Sequence, residues 1–348
     1  MFMWLLLCVA SLLSGSLLFW LDIPAPFFVA AMLCGLAFSL AGARLAIPRK
    51  LFLCAQALIG CAVAKSITGN VWHTLSSHWL VMGAMVGSSI LAGALVGWSL
   101  MKSGIIPGTT AAWGSTPGGA SAMIAMAEAY GADVHLVALM QYLRVFLVVL
   151  TASMVAHFLL SAQGQHPTGV IDKSLWSLIR FNGSATQVLL TLSIVALCGL
   201  LAYRLHLPAG PLLLSMIVGA VLNANGLVDF RLPNCFQTGA SLLLGWYVGL
   251  GFNRQLLASA LRMIHWLFLS AFLLIALCAT FSWLLHHFTA CDPLTAYLAT
   301  TPGGLDSVLL LAMDSQTDLP FVVATQSLRL FLVILTGPII ARFLCRLT

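Results

Sequence analysis

Residues 116–151 read TPGGASAMIAMAEAYGADVHLVALMQYLRVFLVVLT, and residues 301–336 read TPGGLDSVLLLAMDSQTDLPFVVATQSLRLFLVILT. Laid over each other without a gap at an offset of 185, the two runs agree at 15 of 36 positions. Thr116-Pro117-Gly118-Gly119 recurs as Thr301-Pro302-Gly303-Gly304, and Asp133, Gln141, Arg144, Phe146 and Thr151 recur as Asp318, Gln326, Arg329, Phe331 and Thr336. A shared taste for Leu and Val does not pair an aspartate, a glutamine and an arginine, so the runs are copies. The register extends upstream: Gly60 and Pro48 match Gly245 and Pro233 at the same offset, and Pro24-Ala25, Met32 and Gly35 match Pro208-Ala209, Met216 and Gly219 at 184. Nearly the whole chain is therefore a duplication.

With 348 residues, 61% of them hydrophobic and 7% charged, the chain lacks the polar surface a water-soluble globule needs. Apolar stretches near the ~20 residues that cross a bilayer recur throughout. They fall at 3–21, 24–43, 51–66, 79–101, 107–129, 134–161, 187–205, 208–225, 235–253, 264–285, 293–315 and 319–343. The first has no basic flank before it and runs straight into the next, so it is read as a span and not as a cleaved leader. The one long polar interruption, 163–186, separates a first repeat, 1–162, from a second, 187–348. The pattern predicts an all-α polytopic membrane protein of two tandem homologous helical repeats, each with one Pro-Gly-Gly-broken helix.

Its net charge of +6 comes from 15 basic residues scattered singly, which form no basic stripe, and no direct nucleic-acid binding is expected. Whether all six segments of each half cross or the broken fifth turns back, the side holding the N-terminus collects nine basic residues against four, and both termini fall on it. By the positive-inside rule that side is cytoplasmic. The count does not choose between parallel and inverted repeats.

The segments that carry chemistry are 107–129 and 293–315. Proline removes a backbone donor and two glycines loosen the chain, so each helix should break there, with Thr116 and Thr301 capping a second half-helix and Pro117 and Pro302 at its first position. Unwound backbone at membrane depth is tolerated where it is buried in protein or lines a wet cavity, and paired breaks in two halves mark the binding site of many transporters. Arg144 and Arg329 lie about ten residues into apolar spans, each sharing a helix face with the glutamine three residues before it, Gln141 and Gln326. They serve a solute, snorkel to an interface or clamp the helix ends, and Asp306, Glu128, Asp314 and the free carbonyls of the breaks are their candidate partners. Position 306 departs from the symmetry, with Asp306 where the first copy has Ser121. The expectation is a coupling proton or cation at Asp306 and Ser307 and solute at Ser121 and Thr116, with Gly118, Gly119, Gly303 and Gly304 supplying backbone. Asp133 and Asp318 read as helix caps. Histidines and cysteines lack ligand spacing, no nucleophile elbow or phosphate loop is present, and neither enzyme, metal nor cofactor is expected.

The duplicated Thr-Pro-Gly-Gly and Gln-x-x-Arg resemble the AbrB family of bacterial inner-membrane proteins, which is distinct from the small DNA-binding regulators of that name. The resemblance covers essentially the whole chain. It implies an inner-membrane protein; the family name implies a role in regulating expression, and members have also been labelled ammonia monooxygenases. More remotely the pattern is similar to cation–proton antiporters and anion transporters whose inverted repeats cross two broken helices, which implies inverted repeats here and one segment per half that does not cross. A secondary transporter of a small anionic solute is the expectation, with a membrane regulator that acts indirectly as the alternative; a homo-oligomer is compatible with either.

Overall fold

The computed structural model of the chain describes residues 2–66, 71–104, 106, 108–118, 120–162, 185–205, 210–224, 233–252, 263–288, 291–315 and 317–346. Most of the interval 163–186, as well as Gly119 and the side chain of Ser121, lie outside the described residues.

Those residues form helices and no strand. In the first half they are α1 (Phe2–Trp20), α2 (Pro26–Leu40), α3 (Arg49–Ser66), α4 (Val71–Lys102), α5 (Gly108–Ser115), α6 (Ala120–Ala129) and α7 (Val134–Ala162). In the second half they are α8 (Ala185–Leu205), α9 (Gly210–Ala224), α10 (Asn234–Leu250), α11 (Ile264–Phe288), α12 (Pro293–Thr300), α13 (Leu305–Asp314) and α14 (Leu319–Arg346). Six of them, α1, α4, α7, α8, α11 and α14, are long and apolar enough to cross a bilayer, three at matching places in each half. Large apolar side chains such as Leu13, Phe158, Leu197 and Leu335 stand on their outer faces, as lipid requires.

Both expected breaks are present: 107–129 becomes α5 and α6, and 293–315 becomes α12 and α13. The expected capping is not. The second half-helices begin at Ala120 and Leu305, so the prolines stand in the connection and not at a first helical position. Thr116 turns its hydroxyl back to Ala112 O at 2.6 Å, and Thr301 is the C-cap of α12, with its N–H on Tyr297 O. The whole Thr-Pro-Gly-Gly segment is the connection because two glycines after a proline offer the helix no propensity to begin there.

By its internal contacts the chain divides into two compact units, each drawing on both halves of the sequence. The first holds Met1–Thr74, Ser153–Gly251 and Leu309–Pro320. Its main packings are α2 on α10 and α3 on α9. They are reciprocal. A Cβ added to Gly245 would strike Phe28 O and Ala31; one added to Gly60 would strike Leu212 O and Ser215. Gly60 matches Gly245 at offset 185, and Phe28 and Ala31 match Leu212 and Ser215 at 184, so the two half-chains close on each other through equivalent residues. Small residues let these helices approach to backbone contact, the usual way helices associate without a hydrophobic drive. In the same unit Ala25, in the left-handed region at φ 52°, donates its N–H to Asp314 Oδ2 at 3.0 Å, and the Ser153 hydroxyl donates to Pro24 O.

The second unit holds Leu75–Ala152, Phe252–Val308 and Phe321–Thr348, and with them both Thr-Pro-Gly-Gly segments. Met82 and Met85 of α4 pack with Ala296 and Ala299 of α12 and Phe321 of α14. Gly93 and Gly97 let α4 lie against Pro117 and Ser115 at the first break.

Candidate functional site

α5 and α12 are eight residues long and end inside the second unit, where their last carbonyls have lost the next turn as a partner. Buried carbonyls without donors cost about 1–3 kcal/mol each. The duplicated Gln-x-x-Arg supplies those donors. Gln141 Nε2 donates to Trp113 O, Gly114 O and Thr116 O at 3.0, 3.2 and 3.3 Å. Arg144 Nη1 donates to Thr116 O at 2.9 Å, and Nη2 to Gly118 O at 3.1 Å and to Gln141 Oε1 at 2.7 Å.

In the second copy Gln326 Nε2 donates to Leu298 O, Ala299 O and Thr301 O, and Arg329 donates to Thr301 O through Nη1 and to Gly303 O through Nη2. Every partner is displaced by 185 from its counterpart. Of the partners open to the arginines in the sequence, the broken helices' carbonyls are the ones taken. Helix ends carry partial negative charge, so a guanidinium there is favourably placed.

One helix brings the breaks together. α7 holds the first break through Gln141 and Arg144, and its Val145 and Val148 face the second: a Cβ on Gly303 would stand 2.9 Å from Val148, and one on Gly304 3.9 Å from Val145. Tyr297 of α12 is buried, and its backbone oxygen accepts from Thr301 N. From the other side, Trp113 of α5 lies against Gly337 of α14. Cys278 of α11 is buried as well.

The four clamp residues are almost wholly inside, with Gln141 0%, Gln326 1%, Arg144 2% and Arg329 4% exposed. Among the described residues neither arginine has a carboxylate within ion-pair distance; the one such pair is His135 with Asp133. Each arginine leaves its Nε without a hydrogen-bond acceptor, and Gln326 Oε1 also lacks a partner. A charge at the centre of a membrane helix costs about 2.5–3.5 kcal/mol by insertion scales. Hydrogen bonds from charged donors, at about 1.5–3 kcal/mol each, are of the size needed to offset it.

The remaining sequence-derived residues are placed as follows. Thr116, Pro117, Gly118, Thr301, Pro302 and Gly303 are buried at the breaks. Asp306, half-buried, lies in the first turn of α13, and the Ser307 hydroxyl donates to Gly304 O at 2.9 Å. Asp133 caps α7, its Oδ1 accepting from His135 N and Leu136 N. Asp292, which was not expected, caps α12, with Oδ2 accepting from Leu294 N and Thr295 N, and Asp292-Pro293 is itself a helix-start signal. Among the described residues no three His, Cys, Asp or Glu side chains gather as metal ligands.

The model of a family described as "Transition state regulatory protein AbrB" matches residues 27–345. A protein of Escherichia coli (strain K12) named "Putative regulator AbrB" is 42% identical over 341 residues, 98% of this chain and 96% of that protein. A protein of Bacillus subtilis (strain 168) named "Uncharacterized protein YhjN" is 27% identical over 306 residues, 86% and 79% of the two chains. A family match from α2 into the end of α14, and a relative sharing two residues in five along almost its full length, place the chain in the AbrB family.

Proposed function

We propose that this protein is a secondary transporter, set in the bacterial inner membrane with both termini cytoplasmic, that carries a small anionic solute past its two helix breaks. The observation that carries this reading is a pair of buried arginines, one at each of two breaks that a single helix brings together, without carboxylate partners among the described residues. Two like charges inside a membrane protein are an unbalanced field, and a diffusible anion is the species that balances it. Broken helices are also where transporters bind their cargo. The clamp leaves the guanidinium Nε groups without acceptors.

Asp306 and Ser307, in the first turn of α13, are the proposed seat of the coupling proton or cation. Nothing in this mechanism is enzymatic, and it needs no metal, cofactor or nucleic acid. The test is uptake of radiolabelled small anions into proteoliposomes under an imposed pH gradient, with Asp306→Asn and Pro302→Leu alongside. Uptake that Asp306→Asn uncouples from the pH gradient supports the assignment; no uptake of any anion by folded protein refutes the transport reading.

A second reading follows from the name of the Escherichia coli relative, a regulator. The two are compatible, since a transporter that changes a solute level changes expression indirectly. A transcript profile altered by deletion and restored by a transport-dead variant would separate regulation from transport.

A further inference from the structure

The two clamps match in position and differ in completeness. In the first, Gln141 Oε1 accepts from Arg144 Nη2 at 2.7 Å, so both Nη2 hydrogens are used, one here and one on Gly118 O. In the second, Arg329 Nη2 makes one bond, to Gly303 O, and Gln326 Oε1 accepts nothing. A guanidinium has five N–H donors, and this one uses two. Arg329 therefore keeps an unused donor on Nε and one on Nη2, two adjacent atoms of the kind that take a carboxylate in a two-point grip.

The amide orientation of Gln326 is fixed. Its Nε2 faces three carbonyls, Leu298 O, Ala299 O and Thr301 O, and a flip would set oxygen against oxygen at all three. Oε1 is therefore a true acceptor, one helical turn from Arg329 on the same face, where the equivalent pair in the first copy meets. Unpartnered donors on a buried cation and an unpartnered buried acceptor beside it ask for a ligand with an anionic oxygen and, next to it, a group that donates.

We infer that Arg329 and Gln326 form the solute subsite, that Gln141 and Arg144 are its closed, structural counterpart, and that the solute is a small carboxylate bearing a hydroxyl or an amine on the adjacent carbon. The carboxylate sits on the Nε and Nη2 edge of Arg329, and the hydroxyl or ammonium donates to Gln326 Oε1. This rests on the transport reading and names its substrate class. A monocarboxylate without the donor satisfies the arginine and leaves Oε1 unmet in a dry site, which sites of this kind reject strongly.

The test is thermal unfolding of the purified full-length protein in detergent with L-lactate, L-alanine and propionate, since a ligand that binds only the folded state raises Tm with concentration. Lactate or alanine should stabilise at concentrations at least tenfold below those propionate requires. Two variants locate the site. Arg329→Lys keeps the charge but removes the two-point donor pair, and should abolish the ligand-dependent shift; Gln141→Leu, in the other clamp, should retain it. If Arg329→Lys does not fold, the ligand ranking on the unaltered protein decides. Propionate equal to lactate and alanine overturns the substrate class and leaves anion transport standing. A ligand shift that survives in folded Arg329→Lys overturns the location, and no shift with any carboxylate overturns this inference together with the anionic reading of the site.

Discussion

Replacing Gln141 by leucine, and separately Gln326 by leucine, isolates the one hydrogen bond by which the two clamps differ. Both substitutions keep side-chain volume nearly constant and remove an Nε2 that donates to three carbonyls. In each copy the third carbonyl, Thr116 O or Thr301 O, retains its arginine donor, so two carbonyls are left short. At about 1–3 kcal/mol for each, that shared loss is about 2–6 kcal/mol. Gln141→Leu additionally strips Arg144 Nη2 of its 2.7 Å acceptor, whereas Gln326 Oε1 accepts from nothing. A hydrogen bond from a charged donor contributes about 1.5–3 kcal/mol. In membranes the unfolded chain also finds partners, and measured interhelical bonds average nearer ~0.6 kcal/mol. Gln141→Leu should therefore be the more destabilising by about 0.6–3 kcal/mol. The assay is reversible unfolding of both variants in mixed micelles by titration with a denaturing detergent, each referred to the parent. Equal losses, or a greater loss for Gln326→Leu, would refute the account of the clamp and with it the asymmetry on which the solute subsite rests.

Other expectations follow from the same geometry. Gly245→Val drives a branched side chain into Phe28 O, Ala31 and Met32 N, and should cost about 3 kcal/mol or more, read as loss of monodisperse protein on size exclusion. Asp292→Ala removes the acceptor for two N–H groups at the start of α12 and should lower stability by about 0.5–2 kcal/mol, with Asp292→Asn recovering most of it. Pro117→Leu and Pro302→Leu should abolish uptake while insertion and yield stay near the parent's; equal loss of folded protein would assign the motif to structure alone.

How much of this was legible in sequence varied with how local the cause was. Apolar runs located the helices to within a few residues, with α4 alone starting well before its run, because burial in lipid is a property of composition along a single segment. The breaks were legible because proline and glycine act on their own backbone. Gln141 and Arg144, with their copies, were singled out because an arginine at membrane depth demands partners, and the carbonyls of the breaks stood among the candidates. Their choice over the carboxylates was not legible, since it depends on how α7 lies beside α5. Thr116 and Thr301 were misread as caps because a threonine before a proline usually starts a helix, and here the glycines that follow delay the start. Gly60 and Gly245 were visible as a matching pair, but not as the points where each half meets the other, which is a matter of tertiary approach. The difference between Gln141 and Gln326 has no trace in sequence at all, since both copies read Gln-x-x-Arg.

α7 is a single rod that touches both discontinuities on consecutive residues, Arg144 on the first and Val145 with Val148 on the second. Turning it by one residue, about 100°, lifts the guanidinium from Thr116 and Gly118 and withdraws the valines from Gly303 and Gly304 in the same motion. The two breaks are therefore not independent hinges. Any rearrangement transmitted through this helix acts on both, so a solute seated at one alters the free energy of the other by the same amount as the reverse.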